Sequence, residues 1–353
     1  MRNFSFDKLA DRVWSNEVLN LVAKIHECKG RQDLFIRQKP MELDRLVAIA
    51  KIQSTVASNK IEGIVTTDTR MKQLFAERTT PRNRDENEIM GYRDVLNIVH
   101  ESYEYIPVRP SYILQLHRDM MRRANLSFGG NFKNVQNYIN ETRPDGSVVT
   151  RFTPVAPYET PEAVERLCNA YEQAVANERV DSLLLIPAFI CDFLCIHPFN
   201  DGNGRMSRLL TLLLLYRTGY VVGKYISIEK QIEQTKDRYY DTLEEADAGW
   251  HDEANDPAPF IRYMLQVILA CYTEFEDRVG LLSEATRGST AYDIVRHYVE
   301  TKIGKFTGND VVVHCPGAGR SSVLAALKKL TEEGVLVRQG SGRSTYYIRA
   351  DSR

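Results

Sequence analysis

The segment formed by residues 197–208 constrains this chain more than any other. It reads His-Pro-Phe-Asn-Asp-Gly-Asn-Gly-Arg-Met-Ser-Arg. Gly202 and Gly204 flank an asparagine, and two glycines let successive backbone N–H groups turn toward one point. A helix that begins near Gly204 adds its own free N–H groups and the positive end of its dipole. The segment therefore predicts an anion site at the start of a helix.

Charged side chains in the same segment suit the phosphates of a nucleotide. Arg205 and Arg208 lie three residues apart at the start of the predicted helix, and guanidinium groups match phosphate oxygens. Asp201 precedes the glycines, where a carboxylate can hold Mg²⁺ that bridges phosphates. His197 can take a proton from a hydroxyl at neutral pH. A polar loop with a structural histidine is the alternative, but this combination within twelve residues favours a functional site.

Apolar residues at helical spacing predict that most of the chain is α-helical. The predicted helices cover residues 44–61, 86–103, 109–122, 161–177, 181–196, 204–217 and 256–275. Thr160 is a candidate N-cap for the fourth of them. The fold class is therefore mainly α.

One segment, residues 128–157, interrupts the helical pattern. It holds two β-rich runs, 135–140 and 147–152, on either side of the turn signal Pro144-Asp145-Gly146. This arrangement predicts a β-hairpin. Because an isolated hairpin is only marginally stable, the hairpin is expected to pack on the helices.

The C-terminal residues predict a separate small module after a linker-like stretch at 282–289. Its predicted elements are two helices and two strands, at 292–301, 319–333, 335–337 and 346–348. This order is typical of a winged helix-turn-helix. Residues 291–353 contain ten Lys or Arg and six Asp or Glu, which fits a phosphate-facing wing that carries Arg338 and Arg343. Winged helices also serve in dimerisation and protein docking.

Composition excludes several classes of protein. The net charge of −1 gives no global attraction to nucleic acid or to an anionic membrane. The six scattered cysteines are expected to be reduced core thiols. The N-terminus lacks the apolar stretch of a signal peptide, and the longest apolar run, 209–215, is too short to cross a bilayer. A cytoplasmic protein without membrane contact is expected.

Residues 197–208 match, at every specified position, the signature of Fic-domain proteins, H-P-F-x-D/E-G-N-G-R-x-x-R. The chain resembles this family roughly from Asp44 to Phe275. The resemblance implies a Fic-type helical bundle in which residues 128–157 form the flap beside the active site. Family members typically transfer AMP from ATP to a hydroxyl of a target protein, and the flap pairs with an extended target segment.

The resemblance also implies a role for each matching residue. His197 is the general base for a Ser, Thr or Tyr hydroxyl, and Asp201 ligates Mg²⁺. Arg208 meets the γ-phosphate of ATP. The α- and β-phosphates are held by Gly202, Asn203, Gly204 and Arg205. Further nucleotide or target contacts are implied for Ile139, Asn140 and Tyr239, whereas Asp247 departs from the asparagine that some relatives hold near adenine.

Residues 58–63, Ser-Asn-Lys-Ile-Glu-Gly, resemble the inhibitory motif of the family, S/T-x-x-x-E-G/N. Ser58 and Glu62 lie four residues apart on one helix face, and a solvated polar pair at a helix end is the alternative. In the inhibitory interpretation, Glu62 pairs with Arg208 within the same chain. ATP then binds in a pose unfit for in-line attack.

Two functions from different classes stay open. The first is an autoinhibited protein adenylyltransferase with regions 1–105, 106–283 and 284–353, whose C-terminal module docks partners or a second copy. The second is a DNA-binding transcriptional regulator that uses the Fic core as a nucleotide sensor. The intact His197 favours the enzyme because sensing needs no general base. Retention on duplex DNA that falls as salt rises would favour the regulator. Removal of AMP and use of another nucleotide also stay open.

Overall fold

The computed structural model of this chain describes residues 2–38, 40–76, 78–142, 145–286, 290–302, 304–315, 318–342 and 345–350. The chain divides into two compact units. Unit 1 contains Met1–His26 and Ala50–Ala270, and unit 2 contains Glu27–Ile49 and Cys271–Arg353. The predicted region boundaries at 105 and 283 stay predictions.

Helices make up most of the described residues, so the predicted mainly α fold is confirmed. In chain order the helices are α1 Asp7–Ala10, α2 Asn16–Gln38, α3 Pro40–Ile61, α4 Asp68–Phe75, α5 Arg84–Ser102, α6 Pro110–Met121, α7 Thr160–Asn177, α8 Ser182–Ile196, α9 Asn203–Arg217, α10 Ile228–Gln234, α11 Lys236–Asp247, α12 Ala258–Thr286, α13 Ala291–Thr301, α14 Gly308–His314 and α15 Arg320–Glu332. Short 3₁₀ turns lie at Tyr103–Tyr105, Arg122–Ala124, Val222–Lys224 and Trp250–Asp252. The strands are β1 Ile139–Thr142, β2 Val148–Phe152, β3 Leu336–Gln339 and β4 Tyr346–Arg349.

Helices α8 and α9 form the centre of unit 1. Nearly every residue of both helices is buried, which is typical of helices that other elements cover completely. They pack against each other, and α7 and α11 pack on α8 while α5 packs on α9. The signature loop, residues 197–202, is the connection between them. The loop is therefore fixed at both ends by the most buried helices of the unit.

The hairpin forms as predicted, but its first strand starts later. β1 begins at Ile139, whereas the predicted run began at 135. The residues before β1 bond to the signature loop instead of to β2. The backbone N–H of Lys133 donates to Pro198 O at 2.8 Å, and the side-chain amide of Asn137 donates to Phe199 O at 3.0 Å. Pro144 of the predicted turn lies outside the described residues.

Two local predictions differ from the structure for identifiable reasons. Thr160 is the first residue of α7 and not its N-cap, because its hydroxyl donates to Ala156 O at 2.9 Å. Residues 307–310 are rich in turn-forming types and are predicted from the sequence to form a turn, but Thr307 is the N-cap of helix α14, which begins at Gly308. The Thr307 hydroxyl and the Asp310 carboxylate cap each other's backbone N–H groups, as in a capping box. A sequence that suits a turn equally suits a capped helix start.

In unit 2, α13, α14, α15 and the antiparallel β3–β4 pair enclose a core of their own. Phe306 bridges to Tyr347 of β4 through two backbone hydrogen bonds. The buried apolar residues include Ile294, Val295, Val299, Val311, Val323, Leu327 and Leu330. Arg338 lies on β3, and Arg343 lies outside the described residues. No helix in the part of the chain that the structure describes combines the length and the apolar character needed to cross a membrane.

Candidate functional site

A cavity of about 260 Å³ opens beside the signature loop in unit 1. Nine predicted site residues line it: Glu62, Ile139, His197, Asp201, Gly202, Asn203, Gly204, Arg208 and Tyr239. The folded chain thus brings the end of α3, the hairpin, the signature and α11 to one place. Ser58, Asn140 and Arg205 are not among the lining residues and are described below.

The geometry of the signature loop depends on its glycine and asparagine. Gly202 has φ 84°, a left-handed conformation that glycine adopts without strain, and a Cβ at this position would collide with Met121. Asn203 closes the loop onto Phe199. Its Oδ1 accepts from the Phe199 N–H at 2.9 Å and its Nδ2 donates to the Phe199 carbonyl at 2.8 Å. The side chain of Asn203 is therefore engaged in shaping the loop.

His197 lies at the end of α8 in a left-handed conformation, with φ 51°. Burial lowers its pKa to about 4, although the hydrogen bond to the Leu194 carbonyl acts in the opposite direction. A carbonyl only accepts, so Nδ1, at 3.2 Å from Leu194 O, carries the proton. Nε2 then holds the lone pair. A neutral imidazole with Nε2 as proton acceptor meets the requirements of a general base.

His117 supports the signature loop and was missed in the sequence. Its ring stacks on Phe199 with the centroids 3.7 Å apart. Nδ1 accepts from the Gly130 N–H at 3.0 Å, which leaves the proton on Nε2 to donate to the Asp201 carbonyl at 3.0 Å. Burial lowers the pKa of His117 to about 4, so this pattern of one donor and one acceptor persists at neutral pH. No motif marks His117, which lies on an ordinary amphipathic helix.

The arginine that follows the glycines is turned to a buried carboxylate. Nη1 of Arg205 donates to Glu88 at 2.6 Å, and only 1% and 3% of the two side chains is exposed. Nη2 of Arg205 is 3.5 Å from Asp201, which Arg84 also approaches at 3.5 Å. Glu88 was missed because it lies 117 residues away from its partner. The predicted phosphate contact of Arg205 stays a prediction.

Asp201 fits the chemistry of a Mg²⁺ ligand that shares the ion with a substrate. Its side chain is 45% exposed, and its Oδ1 accepts from the Gly202 N–H at 2.6 Å. The described residues contain no cluster of three His, Cys, Asp or Glu side chains suited to a metal. Mg²⁺ needs no such cluster where one carboxylate and substrate phosphates hold it together. Asp201 therefore suits a Mg²⁺–nucleotide complex.

Arg208 is held by both residues of the predicted inhibitory motif. Its Nη2 donates to Glu62 Oε1 at 2.8 Å and to the Ser58 carbonyl at 2.9 Å. Its Nε donates to the Ser58 hydroxyl at 2.8 Å. The guanidinium is fully covered, with 2% of the side chain exposed, whereas 31% of the Glu62 side chain is exposed. The three contacts hold the guanidinium of Arg208 against the end of α3.

Glu62 stands over the start of the signature helix. A Cβ on Gly204 would collide with Oε1 of Glu62, so the carboxylate lies directly against this glycine. Burial raises the pKa of Glu62, but Arg208 outweighs it, with further help from Arg205 and Lys236, and the pKa lies below its ordinary value. The carboxylate is therefore ionised at neutral pH. It occupies space at the helix N-terminus where an anion would otherwise bind.

The hairpin and α11 also contribute residues to the cavity. Tyr239 packs edge-on against Phe260 and Tyr263 and is 2% exposed. Ile139 of β1 lines the cavity, whereas Asn140 accepts a hydrogen bond from the Thr150 hydroxyl at 3.2 Å on the hairpin itself. Asp247 at the end of α11 receives the Arg151 guanidinium, a contact that the sequence did not indicate.

Part of this chain, including the signature, is similar to known proteins. Residues 107–215, which include α6 to α8 and most of α9, match the model of the Fic/DOC family. A relative in Aedes aegypti, named protein adenylyltransferase Fic, is 27% identical over 265 residues, which is 70% of this chain and 47% of the relative. Protein adenylyltransferase fic-1 of Caenorhabditis elegans is 27% identical over 184 residues, 51% of this chain and 32% of the relative. The chain spans about half or less of the length of these curated relatives.

Solved structures share the fold. A Fic family protein from Desulfovibrio desulfuricans superposes with a TM-score of 0.61 at 20% identity and covers 97% of this chain and 98% of its own. Fic-1 from C. elegans superposes with a TM-score of 0.57 at 22% identity over 72% of this chain and 70% of its own. The chain therefore has a fold in common with Fic proteins of known structure, and residues 107–215 match the Fic/DOC family.

Proposed function

We propose that this chain is an autoinhibited protein adenylyltransferase that transfers AMP from ATP to a Ser, Thr or Tyr hydroxyl of a target protein or of itself. The observation that carries the proposal is one cavity that joins a neutral His197, an exposed Asp201 and the Gly202–Gly204 backbone. The relatives named protein adenylyltransferase support ATP as the nucleotide and a protein as the acceptor.

The reaction needs positioning and charge neutralisation more than covalent chemistry from the protein. The acceptor oxygen bonds to the α-phosphorus of ATP, the bond from that phosphorus to the bridging oxygen of the β-phosphate breaks, and pyrophosphate leaves. Nε2 of His197 takes the hydroxyl proton. The backbone N–H groups at the start of α9 face the phosphates, and Arg208 neutralises the terminal one. Mg²⁺ held by Asp201 would supply further positive charge on the phosphates.

Autoinhibition follows from the occupation of Arg208. A guanidinium that is bonded to Glu62 and Ser58 cannot also orient the γ-phosphate of ATP. Glu62 also places its negative charge at the start of α9, where the phosphates are proposed to bind. ATP that enters is therefore expected to bind in a pose unfit for in-line attack. Release of Arg208 from this inhibition requires the end of α3 to move or Glu62 to lose its charge.

The direct test uses ATP labelled at the α-phosphate. Wild type, Glu62→Gly and His197→Ala are incubated with labelled ATP and Mg²⁺, and protein-bound label is measured after electrophoresis. Label on the Glu62→Gly protein that is absent from the His197→Ala protein is the expected result. Absence of label from all three proteins would contradict adenylyl transfer.

Lys236 is expected to hold the inhibitory helix in place. Its ammonium donates to the Ile61 carbonyl at 2.7 Å, one residue before Glu62. Lys236→Met keeps the aliphatic stem and removes this bond, which contributes roughly 1 kcal/mol. Label incorporation should rise about fivefold. The comparison variant is Lys60→Met, because the ammonium of Lys60 at the same helix end belongs to a side chain that is 58% exposed, and pairs near the surface such as Lys60–Glu233 contribute little. Equal rates for the two variants would assign no role to Lys236.

The pH dependence of transfer should lack the inflection that an ordinary histidine gives. Burial lowers the pKa of His197 to about 4, so the neutral base is already fully present above about pH 5.5. For the Glu62→Gly protein we expect a labelling rate that changes less than about twofold between pH 5.5 and 7.5. A rate that falls steadily as pH drops through 6.5 would mean that His197 titrates normally.

We propose a winged helix-turn-helix for the C-terminal part of unit 2. The proposal is supported by the order α13, α14, α15, β3 and β4 and by their common core. For an enzyme that is inhibited by a residue of its own chain, we expect this domain to dock a protein partner or a second copy of the chain. Retention of the full chain on duplex DNA, lost as salt rises, would instead support the regulator.

A further inference from the structure

The register of the hairpin shifts by one residue beside the cavity. Glu141, Asn140 and Ile139 of β1 face Val149, Thr150 and Phe152 of β2, so Arg151 has no opposite residue. An extra residue on one strand is a β-bulge, which breaks the strict alternation of side chains and redirects the residue that it carries. Arg151 is partly buried and the next residue, Phe152, is buried as well. Consecutive buried side chains are what such a shift produces.

The side chain of Arg151 reaches the end of α11. Nη1 of Arg151 lies 2.9 Å from both carboxylate oxygens of Asp247, and 18% and 10% of the two side chains is exposed. Both residues line the cavity. In β2, Val149 and Arg151 are partly buried while Val148 and Thr150 are exposed, so Arg151 keeps the side that alternation gives it and Phe152 is the residue that departs from it. The ion pair therefore lies directly beside the bulge.

The root of the hairpin is fixed independently of this pair. Phe152 packs on Trp250 and stacks on His251 with the ring centroids 5.2 Å apart. His251 also donates from Nε2 to the Thr153 carbonyl at 2.8 Å. These contacts follow Arg151 in sequence, whereas residues 145–150 extend beyond it toward the turn. Among the hydrogen bonds and ion pairs of the described residues, the contact of Arg151 is the one nearest the turn that ties β2 to α11.

We propose that the Arg151–Asp247 ion pair is a latch that holds the hairpin over the cavity, so that both residues are positioning residues for the acceptor segment bound beside the hairpin. The consequence for transfer rests on the proposed function, but the latch itself does not. Loss of either charge frees the hairpin beyond residue 151 while its root stays attached to Trp250 and His251.

Because Arg151 and Asp247 are both partly buried, the loss of one of the two charges should be enough to open the latch. Burial raises the pKa of Asp247 above its ordinary value, although Arg151 acts against this. Without the guanidinium, the carboxylate would be partly buried and unpaired, which disfavours the closed hairpin. Replacement of both residues by neutral ones removes the unpaired charge as well as the attraction. The closed hairpin should therefore be destabilised no more in the double variant than in the single variants.

Hydrogen–deuterium exchange of the full chain tests the latch without any reaction. Arg151→Gln, Asp247→Asn and the double variant are compared with wild type. The amides of residues 148–151 should exchange about tenfold faster in each single variant, and no faster in the double variant than in the faster single one. The exchange rates of the α8 amides should be unchanged, which excludes general destabilisation. The matched control is Arg166→Gln on α7, whose exposed partner is Glu162.

Unchanged exchange or independent effects in the exchange experiment would overturn the latch. The first is unchanged hairpin exchange in both single variants. The second is a double variant whose acceleration equals the product of the single effects, because independent residues behave in that way. A further outcome comes from transfer, measured for Arg151→Gln in the Glu62→Gly background. If the ATP concentration for half-maximal rate changes while hairpin exchange does not, Arg151 binds the nucleotide and the latch is wrong. If no variant transfers label, the proposed function fails while the exchange comparison still decides the latch.

Discussion

Replacement of Glu62 by glycine should raise label incorporation from ATP by about a hundredfold. The carboxylate bonds to a guanidinium that is almost fully buried, and such a pair in a partly closed site contributes about 2 to 3 kcal/mol. Removal of the carboxylate leaves Arg208 with its two bonds to Ser58 and frees the N–H of Nη2 that pointed to Glu62 for a phosphate. It also clears the space against Gly204 at the start of the signature helix.

Matched variants separate charge from shape. Glu62→Gln keeps the volume and removes the charge, so it should raise labelling less than Glu62→Gly, because an amide still covers Gly204. Glu233→Gln removes a carboxylate that pairs with Lys60 outside the cavity, and its labelling should stay within about twofold of wild type. Binding of ATP, measured by calorimetry, should change less than the rate of labelling. Equal labelling of wild type and Glu62→Gly would refute autoinhibition by this residue.

The features that could be predicted from sequence are those that depend on local spacing. The glycines and Asn203 form their loop with neighbours only a few residues away, and the helix that follows begins within one residue of the prediction. Glu62 was found only through its resemblance to a motif, because its partner Arg208 is 146 residues distant. The resemblance supplied information about a tertiary contact that no periodicity contains.

The supporting residues could not be predicted because their partners are distant and their types are ordinary. His117 contacts Asp201 across 84 residues, Glu88 contacts Arg205 across 117, and Arg151 contacts Asp247 across 96. Each lies in an amphipathic helix or a short strand where a charged or polar residue is unremarkable in sequence. The bulge at Arg151 has the same origin, since a register shift of one residue depends on what the hairpin packs against.

Loss of His197 should abolish the labelling that Glu62→Gly releases. The double variant Glu62→Gly/His197→Ala is expected to label about a thousandfold more slowly than Glu62→Gly, which is the middle of the range for removal of a general base. Mutation in the Glu62→Gly background matters because wild type is expected to label slowly, and a further loss of rate there would be hard to measure.

The backbone at His197 complicates a single alanine variant. Its φ of 51° strains most side chains, so an alanine could disturb the loop as well as remove the base. Asparagine tolerates this conformation but cannot accept a proton, so Glu62→Gly/His197→Asn tests the chemistry in an undisturbed loop. The control is His26→Ala in the same background, because His26 pairs with Asp181 outside the cavity.

Together, the three variants give distinct results for base catalysis and for loop structure. If His197 is the base, alanine and asparagine lose transfer equally while ATP binding persists and the His26 control is unaffected. If His197 only shapes the loop, asparagine retains most of the transfer rate that alanine loses. Because Nδ1 of His197 is committed to the Leu194 carbonyl, the side chain has one nitrogen left for a hydroxyl. We therefore expect that asparagine will not rescue the rate.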